Sequence, residues 1–130
     1  MDARADLIIM DGRTGSQLSW TTALDQLRQA DIVVLGEQHD DALGHAVQLA
    51  VTEDLLGDGR GALALEMLER DEQVFIDDYC DGIIDAETFA TLTQSTNWSG
   101  EGSWEAWYQP CIDAAIESGA AVIAANAPRR

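Results

Sequence analysis

The stretch Asp31–Gly36, "DIVVLG", decides how the fold is read. Four consecutive apolar residues, Ile32 to Leu35, three of them β-branched, show no polar alternation. That is the pattern of a strand covered on both faces. Two later runs read as buried strands as well: "GALALEM" over Gly61–Met67 and "AAVIAAN" over Ala120–Asn126.

The segments between these runs read as helices. "HAVQLAVTEDLLGDG" (from His45) turns Val47, Ala50, Val51 and Leu55 inward and stops at Gly57 or Gly59. "RDEQVFIDDYC" and "DAETFATLTQ" follow, and "EAWYQPCIDAAIESG" ends at Gly119, with Pro110 breaking it or marking its true start. "STNWSGEGSW" has the composition of a loop. Ahead of Asp31, "DLIIMDGRTGSQLS" reads as a short hairpin turning at Asp11-Gly12 and Thr14-Gly15. A helix capped by Ser19 or Thr21 comes next, with Ala23, Leu24 and Leu27 as its apolar stripe. Strands alternating with helices predict an α/β fold: a mostly parallel sheet, helices on both faces, and an N-terminal hairpin.

A chain of 130 residues is one domain, 1–130, large enough to bury a core without disulfides. It stops just after a strand, where a covering helix would follow. It therefore reads as the front half of something larger, truncated on the C-terminal side, or as a compact version of it.

Seven basic residues, all arginine, stand against 24 acidic ones, for a net charge of −17. A surface this acidic repels phosphate backbones, which argues against nucleic acid and anionic membranes as partners. A solubility-selected surface or adaptation to high salt explains it more simply than a cationic partner does. Cys80 and Cys111 are too few and too far apart for a disulfide framework or zinc knuckle, and read as two small buried apolar residues. The N-terminus, acidic at position 2 with a four-residue apolar run, is no signal peptide, and no run approaches a transmembrane span. The expected location is cytoplasmic as written, and periplasmic or lipid-anchored if a leader has been removed.

Ligands of open parallel sheets bind beyond the carboxyl ends of the strands. The first strand runs into Gly36-Glu37-Gln38-His39, the second ends at Glu66-Met67 and the third at Asn126, followed by Arg129 and Arg130. If the three strands are neighbours, Glu37, His39, Glu66 and Asn126 share one crevice. Glu66 interrupts an apolar run, where a carboxylate is costly unless paired, metal-bound or catalytic. The plainer alternative leaves it in solvent past the strand end, or paired with Arg70.

Both histidines of the chain, His39 and His45, fall within seven residues. They converge only if the intervening "DDALG" folds back and His45 stands in the first turn of the next helix. Imidazole with carboxylates suits a divalent metal, iron or a general acid/base pair. Glu37, His39 and Glu66 are the candidate metal-holding and catalytic set. Trp98, Trp104, Trp107 and Tyr108 either pack a loop down or wall a flat apolar ligand. No nucleophile elbow, P-loop or dinucleotide fingerprint is present.

"VVLGEQHDDALGHAVQLAVTEDL", "ALALEMLERDEQVFIDDYCDG" and "NW…W…WYQPCIDAAIESGAAVIAANAPR" together resemble the ChaN-like family of iron-regulated haem-binding proteins. That family shares a superfamily with the Tiki metal-dependent proteases and the erythromycin esterases. The resemblance implies an α/β fold with its site at Gly36, Glu37, His39 and Glu66, with His45 nearby. It implies haem or iron handling, with haem as cofactor. For the more distant relatives it implies metal-dependent hydrolysis around a divalent ion. His39, His45 and Tyr108 are the candidate iron ligands, and Asn126 and Arg129 further haem contacts, with Arg129 and Arg130 meeting the propionates. Family members are about twice this length, and their later half carries a second glycine-histidine motif. A fragment, or a homodimer in which a second copy completes the site, is the expectation that follows.

Overall fold

The computed structural model describes residues 2–129. Helix α1 (Ala3–Asp6), capped by the Asp2 carboxylate, leads into an antiparallel hairpin of β1 (Ile9–Met10) and β2 (Gln17–Leu18). Ser19 then caps α2 (Trp20–Leu27), accepting from the Thr22 N–H at 3.1 Å, and Leu24 is its buried residue. The hairpin, its turn residues and the cap agree with the sequence reading. This N-terminal unit is fastened to α3 (Ala42–Leu56) through Asp54. That carboxylate accepts from Arg4 Nε at 3.0 Å and Trp20 Nε1 at 2.8 Å.

Strands β3 (Ala62–Glu69) and β4 (Ala121–Asn126) pair in parallel, Ala62 opposite Ala121 and Leu65 opposite Ala124. Between them come a short 3₁₀ turn (Arg70–Glu72), α4 (Gln73–Cys80), α5 (Ala86–Leu92), the loop of residues 93–103, a π-helical turn (Trp104–Tyr108) and α6 (Gln109–Ser118). Pro110, in the first turn of α6, has no N–H to return to the carbonyl four residues back. The turn before it is widened into the π form, where Gln109 N–H reaches Trp104 C=O. Gly119 ends α6 at φ +83, as expected, and Ala120 N–H returns to Ala115 C=O. Gly59 is required for a different reason. At φ +74, a Cβ there would lie 2.5 Å from the Ser118 carbonyl oxygen.

The core gathers on one side of the β3–β4 pair. Leu65, Leu68, Val122 and Ala124 face Ile76, Phe89, Trp104, Tyr108 and Ile112. Each large side chain buried there contributes roughly 1.5–3 kcal/mol. The outer edge of β4 is closed by a side chain. Gln73 Nε2 donates to Val122 C=O at 3.0 Å, and its Oε1 accepts from Ala124 N–H at 2.8 Å. The amide thus makes the two bonds that a neighbouring strand would make, and blunts an otherwise open edge.

Three expectations need correction. Asp31–Gly36 is extended but unpaired among the described residues, with Ile32 81% and Val34 86% exposed. Covering a strand on both faces requires neighbours, and no described strand runs along its edge. The parallel sheet therefore has two strands, and helices cover one of its faces only: Ala62, Ala64, Glu66, Ala121, Ile123 and Ala125 are exposed on the other. Of the two cysteines, Cys111 is buried and Cys80 is exposed. Among the described residues no helix is long and apolar enough to cross a membrane.

Candidate functional site

Asp41 caps α3, its carboxylate accepting from Leu43 N–H at 3.0 Å, so the helix begins one turn earlier than its apolar pattern suggests. This start folds "DDALG" back and brings His45 beneath His39. The ring of His45 is 2% exposed, stacked on Trp107 at 4.5 Å between centroids and 11° between planes, with Tyr108 edge-on at 5.0 Å. The π turn and α6 pack against α3, and this packing delivers Trp107 and Tyr108 to the site.

Glu37 is the centre of the cluster. Its Oε1 accepts from His39 Nδ1 at 2.6 Å and from the Tyr108 hydroxyl at 2.8 Å; its Oε2 accepts from Gln48 Nε2 at 2.8 Å. Burial pushes this carboxyl's pKa upward, but the hydrogen bonds from Gln48, His39 and Tyr108 outweigh burial and hold it below the ordinary glutamate range. An ionised carboxylate only accepts, so the Gln48 amide must turn its nitrogen to Glu37 and its oxygen to His45. His45 Nδ1 lies 2.9 Å from Gln48 Oε1, and its Nε2 lies 3.1 Å from the main-chain oxygen of His39. Both nitrogens of His45 face oxygens placed to accept, and Glu37 Oε2 stands 3.9 Å from its Nδ1.

The two histidines are therefore unlike. His45 is buried with both nitrogens engaged. The His39 side chain is 57% exposed, and with its proton on Nδ1, donated to Glu37, the neutral ring carries its lone pair on Nε2. No described group bonds that nitrogen. Trp98 lies edge-on to His39, 6.1 Å between centroids, and its own Nε1 is shut off from solvent with no partner among the described residues. Tyr108 is only 2% exposed, and burial, with Glu37 behind the hydroxyl, pushes its phenol up to about 12. It is a neutral donor, already spoken for. The aromatic stretch thus divides: Trp104 and Tyr108 enter the core, while Trp98 and Trp107 attend the histidines.

Of the residues singled out in the sequence, Glu37, His39, His45 and Tyr108 meet. Glu66 stands exposed on the outer face of β3 and shares no hydrogen bond with them. Asn126 Oδ1 caps its own chain, accepting from Ala127 N–H at 2.8 Å, and Arg129 Nε donates to Glu69 at 2.6 Å. Both belong to the C-terminal end of the β3–β4 pair, and Arg130 lies outside the described residues. Among the described residues, no group of three or more His, Cys, Asp or Glu side chains is placed to hold a metal ion. Sequence reading missed Gln48, which joins Glu37 to His45. Its signal was the spacing of three from His45, one helical turn on the same face.

A histidine backed by a carboxylate, with its outer nitrogen free, is the usual arrangement of an iron- or metal-binding imidazole. The donor set suits a haem iron with one protein ligand better than a bare ion needing three or four. No curated protein and no solved structure matches the chain significantly. The model of one family, described as "Haem-binding uptake, Tiki superfamily, ChaN", matches residues 23–130. The chain belongs to this haem-binding uptake family of the Tiki superfamily, the family of ChaN.

Proposed function

We propose that this protein binds haem as part of haem or iron handling, with His39 Nε2 as the iron's protein ligand. The observation that carries the reading is the Glu37–His39 pair at 2.6 Å, with the His39 ring half in solvent. The carboxylate fixes the tautomer that leaves Nε2 able to ligate, and makes that nitrogen a stronger donor. When bound, haem would supply the iron and its redox chemistry, while the chain would supply one imidazole nitrogen, from His39, and an aromatic flank. His45 and Tyr108 serve as supports of that ligand. A metal-dependent hydrolase centred on Glu37, His39 and Glu66 has no comparable observation in its favour.

Titrating the purified protein with haemin tests the reading. A saturable Soret shift is expected, lost in His39→Ala and kept with a histidine-type spectrum in Tyr108→Phe. No shift, or one indifferent to His39, overturns it.

A further inference from the structure

The hydrogen bonds around Glu37 close on themselves. His39 Nδ1 donates to Glu37 Oε1, and Gln48 Nε2 donates to Glu37 Oε2. His45 Nδ1 lies against Gln48 Oε1, and His45 Nε2 lies against the main-chain oxygen of His39 itself. The circuit begins on the side chain of His39 and returns to its backbone. It holds both the ring and the peptide that carries it, and leaves only Nε2 outside. The links to Glu37 have one sense only, because an ionised carboxylate accepts and cannot donate.

We propose that Gln48 is a positioning residue for His39. Its amide converts the buried, Trp107-stacked His45 into an anchor for the Glu37 carboxylate, and so sets the orientation and donor strength of the nitrogen that takes the iron. The proposal rests on the haem reading above for what His39 binds, but not for how His39 is held. A Gln side chain on α3 that merely filled space would need only one of its two bonds. This one spends donor and acceptor on opposite neighbours, 2.8 and 2.9 Å away, and joins Glu37 to His45.

Three proteins test it: the full chain, Gln48→Leu, and the exchange pair that combines Glu37→Gln with Gln48→Glu. In the exchanged protein the amide at 37 accepts from His39 and donates to the carboxylate at 48, which accepts from His45. The circuit is restored with its charge one link further from His39. Nitrogen NMR on the haem-free proteins reads the His39 tautomer. One tautomer, protonated on Nδ1, is expected for the full chain and the exchange pair, and a mixture for Gln48→Leu. In haemin titration Gln48→Leu should bind roughly 10- to 100-fold more weakly. The exchange pair should recover affinity, with an iron reduction potential above that of the parent because the anionic partner has moved away. If Gln48→Leu fails to fold, the exchange pair alone decides, by its tautomer and potential. A single His39 tautomer in Gln48→Leu, or an exchange pair with mixed tautomers, overturns the proposal. If the parent does not bind haemin, the haem reading falls, and the haem-free tautomers still decide the role of Gln48.

Discussion

Two carboxylates in this protein are held in nearly the same way. Asp113, on α6, accepts from the Tyr79 hydroxyl at 2.7 Å and from Gln109 Nε2 at 2.9 Å, and the Gln109 oxygen accepts from Trp104 Nε1 at 2.9 Å. Glu37 likewise takes one tyrosine hydroxyl and one glutamine amide, and the oxygen of that glutamine faces a ring nitrogen of His45. Burial raises the pKa of both tyrosines, so both stay donors at neutral pH. The difference lies in what else the carboxylate touches. Around Asp113 the ring donors are an indole, which has no lone pair to offer a metal, and a phenol that burial keeps protonated and that both Asp113 and Gln109 engage. Glu37 adds His39, whose second nitrogen is free. The same lock closes on itself in one place and leaves an imidazole nitrogen unbonded by any described group in the other.

The largest effect should come from Glu37→Ala. It leaves three donors without their acceptor, Tyr108 buried, Gln48 partly buried and His39 exposed, and each buried unsatisfied group costs about 1–3 kcal/mol. Urea unfolding should show a loss of about 3 kcal/mol, and haemin binding should vanish. Asp113→Ala should cost less, about 1–2 kcal/mol, because Gln109 Nε2 still donates to the Tyr79 hydroxyl at 3.0 Å. Haemin affinity should not move. Equal damage to haemin binding from the two variants would mean that the Glu37 cluster is only another piece of core.

A smaller and cleaner contrast comes from the tyrosines. Tyr108→Phe and Tyr79→Phe each remove one hydrogen bond, worth about 1 kcal/mol. Stability should fall alike in both. Only Tyr108→Phe removes a competing donor from Glu37 Oε1, so only it should alter the reduction potential of bound haem iron. A potential that shifts equally in both variants would undo the distinction.

How much of this was legible depended on whether the signal was local. The hairpin turn, the Ser19 cap and the Gly119 stop are dictated by residues within one turn of each other, and all three were readable. Glu37, His39 and His45 could be gathered because they lie on either side of one cap, Asp41. Asp31–Gly36 was misread because apolar, β-branched residues state a preference for being covered, while the cover has to come from elsewhere. Glu66 was misplaced for a subtler reason. "ALALE" alternates small and large residues, which marks a one-sided strand, Leu65 inward and Ala64 and Glu66 outward. Its apolar content hid that alternation. The spacing of Gln48 from His45 places the two on one helix face, but only the fold reveals that Gln48 also meets a carboxylate eleven residues away.

The smallest effect is one of pH. Glu37 titrates below its ordinary value of about 4.5 in the folded protein, and near that value in the unfolded chain. Between the two values the unfolded chain binds a proton that the folded one does not, so stability rises with pH across the interval. The contribution is complete above the unfolded value and is lost as pH falls through the folded one. Asp54, held low chiefly by Arg4, adds a term of the same sign at the far end of α3. Melting temperatures from pH 7 down to pH 3 should therefore fall for the parent protein. They should fall less for Glu37→Gln, which has no proton to take up at this position, while Asp54 continues to act in both. Parallel profiles would mean that Glu37 is not held as an anion, and the fixed sense of the Gln48 amide would lose its physical basis.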